Sequence, residues 1–162
     1  MNNANISIRI FDKNPKNHPI ACKSMLVRFA LIADSVTFTS GKPNVIGIFD
    51  VIPAGNFPAR HQQMDYIVNL EGTIAEKGEH QISIELRTSN GERILPPFEQ
   101  KIQLQREDEA HQNIRAGIIM KLQNVIFQKP GKYEFVVFAD NRFLCRTTFV
   151  VKHLTNPPAR EA

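Results

Sequence analysis

Apolar residues in this chain recur at every second position, in short runs, and turn-forming residues cut those runs off roughly every ten positions. That pattern admits strands and little else. From Gln81 to Arg87 the alternation is complete. Ile82, Ile84 and Leu86 face one way, while Ser83, Glu85 and Arg87 face the other. Met64 to Leu70 follows the same rule, with Met64, Tyr66, Val68 and Leu70 on one side and Asp65 and Asn69 on the other; Ile67 breaks it. Ile114 to Leu122 alternates again. Met25 to Ala33 is nearly all apolar, as expected of a strand buried on both faces. Val45 to Ile52, a short strand carrying Ile102 and Leu104, Tyr133 to Ala139 and Phe143 to Val151 complete the set. No segment longer than about ten residues carries a helical stripe.

Between the strands lie breakers with definite turn chemistry. Ser40 to Asn44 and Pro130-Gly131 read as turns, and Pro53 to Pro58 and Glu71 to Glu79 as loops. Asn90-Gly91 and Asp140-Asn141 read as tight turns, because both residues of each pair tolerate positive φ. The expected fold is all-β: an immunoglobulin-like antiparallel β-sandwich of about eight strands. It is expected over residues 24–154, between a basic, Asn-rich N-terminal arm at 1–23 and a C-terminal tail at 155–162. Ile6, Ile8 and Ile10 alternate within the arm, as a strand that adds to a sheet edge or as unpaired chain. Gln105 to Asn113 is polar all round, a loop or one to two turns of helix.

The net charge of +4 invites a nucleic-acid reading, so its location matters. Arg9, Lys13, Lys16, Lys23 and Arg28 face Asp12 alone, a balance of +4 within residues 1–28; the remainder holds 15 basic and 15 acidic residues. The excess therefore belongs to the arm. A neutral body argues against a phosphate-binding face, which makes nucleic acid an unfavoured partner except through the arm. Cys22 and Cys145 are far apart, and neither sits in a C-x-x-C pair. Cys145 falls in an apolar strand, where a free thiol acts as a small hydrophobe. The start of the chain has no apolar stretch of signal-peptide length, and no run is long enough to span a bilayer. The expected compartment is the cytoplasm, with no membrane partner.

Chemistry is hard to find. His18, His61, His80, His111 and His153 include no closely spaced ligand pair. Asp34, Asp50, Asp65 and Asp140 are scattered near strand ends, and Glu107-Asp108-Glu109 form one solvated run. Gly41-Lys42 is followed by Pro43, which rules out a phosphate-binding loop of the P-loop type. No catalytic, cofactor-binding or metal-binding residue is assigned, and no cofactor is expected. The one set of titratable groups whose convergence would suggest catalysis is His61, Asp65, Glu79 and His80.

Two features suggest contacts instead. Phe57-Pro58 either caps the open end of the sandwich or anchors a partner. In the final hairpin, a two-residue loop at Asp140-Asn141 sets Phe138 opposite Phe143 and Val137 opposite Leu144. One face then collects Val136, Phe138, Phe143, Cys145 and Phe149. The other collects Tyr133, Phe135, Val137, Leu144 and Val150, with Arg142 and Arg146. Both faces are apolar, although a sandwich sheet needs only one. Either the arm, a second copy or another protein covers the second face, or the register differs. The interaction candidates are Phe57, Pro58, Arg142, Leu144 and Arg146.

The order of several short pieces resembles that of a family of small bacterial proteins of unknown function. The pieces are Ala33-Asp34, Asn44 to Asp50, Phe57-Pro58, Gly78-Glu79-His80, Asn90-Gly91, Phe127, Pro130 to Phe135 and Asp140. The likeness runs from Leu26 to Val151. It implies a β-sandwich of this size in the bacterial cytoplasm and no activity. The resulting expectation is a non-enzymatic protein-interaction module that binds a protein partner or itself. Small-ligand or glycan binding through loops at one end is the alternative, and an enzyme with an unrecognised site is a third reading.

Overall fold

The computed structural model describes residues 25–40, 42–104 and 113–154. The expected arm and tail, and the polar segment at 105–112, lie outside the described residues. The protein is all-β, with two sheets. Among the described residues nine strands follow one another, one more than expected: β1 (Leu26–Thr39), β2 (Lys42–Ile48), β3 (Val51–Ala54), β4 (Ala59–Thr73), β5 (Gly78–Thr88), β6 (Phe98–Leu104), β7 (Asn113–Phe127), β8 (Gly131–Ala139) and β9 (Arg142–His153). A 3-10 turn at Ile74–Glu76 separates β4 from β5. One sheet has the order β2-β1-β4-β7 and the other β3-β9-β8-β5-β6.

The extra strand arises where the run Val45 to Ile52 changes sheets. Gly47 sits at φ +68, and the Asp34 side chain occupies the space a Cβ would need there. Only glycine fits, so the strand bends at this point. Beyond it, Phe49 N–H donates to the Ile32 carbonyl of one sheet at 3.1 Å. One residue later the Asp50 carbonyl accepts from Val150 N–H of the other sheet at 2.8 Å. β3 then runs parallel to β9, the exception in an otherwise antiparallel set. Pro53, expected in a loop, lies in this edge strand, where a missing N–H is tolerated.

The alternating positions fill the space between the sheets. Met64, Tyr66, Val68 and Leu70 of β4 meet Ile82, Ile84 and Leu86 of β5, and Phe135 and Val137 of β8. Tyr66 stacks on Phe135 across the core, with ring centroids 4.2 Å apart and planes 9° from parallel. Phe127, Tyr133 and Phe149 extend the aromatic set. Each such side chain contributes about 1.5–3 kcal/mol of burial.

Ile67, which broke the alternation, serves a second small core. β1 leaves β4 after Ala33 and continues with β2 as a two-stranded ribbon. Val36 and Val45 of that ribbon cover Ala33, Ile67, Leu31 and Ile119 on the outer face of the four-stranded sheet. Buried Asp65 fixes the ribbon by accepting the Val36 N–H at 2.8 Å. The near-continuous apolar stretch of β1 thus has cover on both sides over its central residues.

The last hairpin corrects the expected faces. Phe138 does pair with Phe143, but Val137 pairs with Cys145, because the register shifts at Leu144. That bulge moves Cys145 inward and Arg146 outward. The outer face of the five-stranded sheet is therefore not apolar. Val136 is fully buried there, in register with Arg146 on one side and Glu85 on the other. Ion pairs run over and beside it: Arg87 and Arg146 to Glu134 at 2.8 and 3.1 Å, and Arg93 to Glu85 at 2.6 Å. The long stems cover the apolar patch while the charges reach water.

Truncating the core ring with Phe135→Ala should lower the unfolding free energy by about 3–5 kcal/mol. Phe143→Ala, at a ring 53% exposed, should change it by no more than about 0.5 kcal/mol. Urea denaturation of the two variants checks both.

Candidate functional site

Half of β1 and half of β9 lack a neighbour on one side. β1 pairs with β4 from Leu26 to Ala33, but its other edge meets β2 only from Ala33 onward. β9 pairs with β8 from Arg142 to Val151, but its other edge meets β3 only from Val150 onward. Among the described residues, the edges at 26–32 and 142–148 have no paired strand. Both open on one groove of about 390 Å³, lined by Ala30, Leu31 and Ile32 on one side and Thr147 and Thr148 on the other. The sheet-changing residues Ile48, Phe49 and Asp50 close its upper end.

Strand alternation says which backbone groups face this groove. Val150 N–H points to β3, so Thr148 and Arg146 direct their N–H and C=O groups out along the same edge. The Ile32 carbonyl points to Phe49, so Ala30 presents its backbone groups to the groove. Tyr66, Thr147 and Cys145 lie beneath. The Tyr66 hydroxyl and Thr147 Oγ1 share a hydrogen bond of 2.9 Å. Burial holds the Tyr66 phenol far above its usual range, against the Thr147 hydrogen bond. Burial also pushes the Cys145 thiol up, against a hydrogen bond from Tyr66. Neither group is a nucleophile at neutral pH.

The interaction candidates fall in different places. Phe57 follows the capping alternative: half-buried, it packs against the core, and its ring meets His153 edge-on at 4.8 Å. Its peptide bond to Pro58 is cis, and exposed Pro58 lines a cavity of about 220 Å³ at the loop end. Leu144 packs against the core. Arg146 pairs with Glu134, and strand alternation puts its backbone groups on the open edge of β9. Arg142 is exposed and lines a different cavity, of about 350 Å³, with Glu76, Lys77, His80 and Asp140.

The set His61, Asp65, Glu79 and His80 does not converge. His61 and Asp65 belong to β4, in the other sheet; the His61 ring lies 5.7 Å from that of Phe49. Glu79 pairs with Lys101 at 2.8 Å. His80 instead meets Asp140, with Nδ1 2.7 Å from Asp140 Oδ2 and Nε2 2.8 Å from the Glu76 carbonyl. Both nitrogens face acceptors, an arrangement that favours the protonated ring over one with a free lone pair for proton abstraction. Asp140 also accepts from Gln81 N–H at 2.9 Å. The pair clamps the 3-10 turn to the hairpin tip. Among the described residues, no three His, Cys, Asp or Glu side chains come together in a way that holds a metal ion. No helix among them is long and apolar enough to cross a membrane.

Sequence reasoning missed the paired open edges, which follow from the change of sheet between β2 and β3. The available signal was Gly47, since a glycine inside a strand pattern marks a bend.

A protein-family model matches residues 28–152; its description is a family of unknown function (DUF6941). No curated protein matches the chain. Solved structures give distant likenesses. An alkylpurine DNA glycosylase of Pseudomonas fluorescens is 12% identical over 82% of this chain and 31% of its own, with a TM-score of 0.41. A beta-glucosidase of Listeria innocua is 11% identical over 81% of this chain and 16% of its own, with a TM-score of 0.46. An immunoglobulin-like protein of Pseudomonas aeruginosa is 18% identical over 82% of this chain and 99% of its own, with a TM-score of 0.39. The chain thus spans less than a third of the length of the glycosylase and of the glucosidase. At this distance none of the three bears on activity.

The His80 clamp sets a pH dependence. Burial opposes the charged ring, but the hydrogen bonds and charges of Asp140 and Glu76 outweigh it and raise the His80 pKa above 6.5. Burial likewise opposes the Asp140 carboxylate, but the hydrogen bonds from His80 and Gln81 outweigh it and lower its pKa below 3.8. The His80 contribution is complete below pH 6.5 and fades as pH rises through the folded value. The Asp140 contribution is complete above pH 3.8 and fades as pH falls through its own. The melting-temperature gap between wild type and His80→Gln should therefore be widest between these limits and shrink on the alkaline side. A gap that widens above neutrality would contradict the clamp.

Proposed function

The chain belongs to this family of unknown function, DUF6941, and we propose that it is a non-enzymatic protein-interaction module that binds an extended segment of a partner along the β1–β9 groove. The observation that carries the reading is the pair of open edges. Ala30 on one side and Arg146 and Thr148 on the other present backbone groups to a single groove. Such edges are templates for an added strand, and main-chain hydrogen bonds supply its affinity. Alternate side chains of the incoming strand meet Leu31 on the outer face of β1 and Ile32 on its core face. The Arg146 candidate enters this reading through its backbone.

The two-sheet architecture is read as an immunoglobulin-like sandwich. The reading rests on the strand order and on the cross-core packing of β4 against β8. A bacterial cytoplasmic setting remains part of the proposal.

Two proline variants separate binding from folding. Thr148→Pro removes an N–H that faces the groove and serves no strand of the fold, so the domain should melt close to wild type. Thr147→Pro removes an N–H that alternation directs to β8, and it should destabilise the sheet. Partner capture from a native extract should drop with Thr148→Pro. In the captured complex, the Ala30, Arg146 and Thr148 amides should exchange more slowly than in the free domain. Equal capture by wild type and Thr148→Pro, with those amides unprotected, would falsify the proposal.

A further inference from the structure

A second groove lies on the opposite side of β1, over the outer face of the four-stranded sheet, and its volume is about 360 Å³. Its floor is one register row: Phe29 of β1, Asn69 of β4 and Gly117 of β7. One wall is the end of the β1–β2 ribbon, where Phe38 pairs with Pro43. The other is Arg28 and Arg115, which share one carboxylate. Their Nε atoms lie 3.3 and 3.2 Å from the same oxygen, Oε2 of Glu71. Among the described residues, two guanidinium groups thus stand against one carboxylate at the rim, both near half exposure.

Gly117 is the informative residue. It sits inside a fifteen-residue strand, where glycine costs stability and offers no side chain to pack. Its φ is not in the left-handed region, so backbone geometry does not demand glycine there. Space does not demand it either, since the nearest atom to an added Cβ is Asn69 Nδ2 at 3.9 Å. What the missing side chain does is leave the floor open beside the Asn69 amide. That amide directs its donor nitrogen toward Gly117, and among the described residues its buried Oδ1 has no hydrogen-bond partner.

We infer that this groove binds a small aromatic carboxylic acid. The ring lies over Gly117 between Phe29 and Phe38, and the carboxylate reaches the terminal nitrogens of Arg28 and Arg115. The volume falls in the range of small-molecule sites. Apolar walls with a few convergent donors are the usual composition of such sites. The two guanidinium groups at the rim select an anion over a neutral analogue, and guanidinium matches carboxylate geometry. The site is separate from the β1–β9 groove and does not depend on strand addition there.

The test uses benzoate and 2-naphthoate as probes, with 2-naphthamide as the neutral counterpart of the latter, followed by amide chemical shifts and calorimetry. Naphthoate should shift the Phe29, Asn69 and Gly117 resonances, and naphthamide should bind about tenfold more weakly or worse. Gly117→Val fills the floor with a residue that favours strands, and Arg115→Gln removes one guanidinium. Each should weaken naphthoate binding by about tenfold or more. If Gly117→Val fails to fold, Arg115→Gln decides alone. No binding of either acid at millimolar concentration, equal binding of acid and amide, or full affinity in a folded variant overturns the assignment.

Discussion

Tyr66 holds the two sheets in register with each other. It starts on β4 in the four-stranded sheet and stacks its ring on Phe135 of β8 in the other. It then carries its hydroxyl to Thr147 of β9. One side chain thus bridges the full thickness of the core, which is about 10 Å in such packings. The stacking uses the apolar ring, and the hydrogen bond satisfies the buried hydroxyl that would otherwise oppose the same burial. Because Thr147 also lines the groove between β1 and β9, this contact fixes how far apart the two open edges stand. The binding geometry is inherited from the core.

The two outer faces solve the same problem differently. Each sheet carries apolar groups on the side away from the core. The five-stranded sheet covers Val136 with the stems of charged residues, and buried Glu85 and Glu134 are tolerable because Arg93, Arg87 and Arg146 neutralise them. The four-stranded sheet covers Ile67 with its own ribbon. The ribbon reaches only part of the way, and the uncovered part carries the second groove.

Much of this was legible in the sequence because strand period and turn chemistry are local. The Asp140-Asn141 hairpin and the Phe138–Phe143 pair follow from two residues that accept positive φ. The bulge at Leu144 was not legible, since its cause is the demand that Cys145 and Thr147 face Tyr66, a tertiary constraint. The same holds for Val45 to Ile52, which looks like one strand until Asp34 and Gly47 meet in space. The histidine set failed for a related reason. Proximity of His80 to Glu79 in sequence says nothing about the partner, which is Asp140, sixty residues on. Ile67 was an anomaly of period and turned out to be a report on a second layer. The resemblance named from short ordered pieces agrees with the family match, whose span nearly coincides with it.

The change of sheet at Phe49 and Asp50 has a mechanical consequence. Adjacent residues of one short stretch are hydrogen-bonded to opposite sheets, one to Ile32 and one to Val150. A force that draws the sheets apart at this edge loads the two hydrogen bonds in series, like links of a clasp, beside the Tyr66–Thr147 bond. Links in series fail at the weaker one, so this edge opens by the loss of one bond. The clasp also closes the upper end of the β1–β9 groove. A partner strand that enters from below pulls against the same two links, and the protein resists widening there while it stays open at the other end.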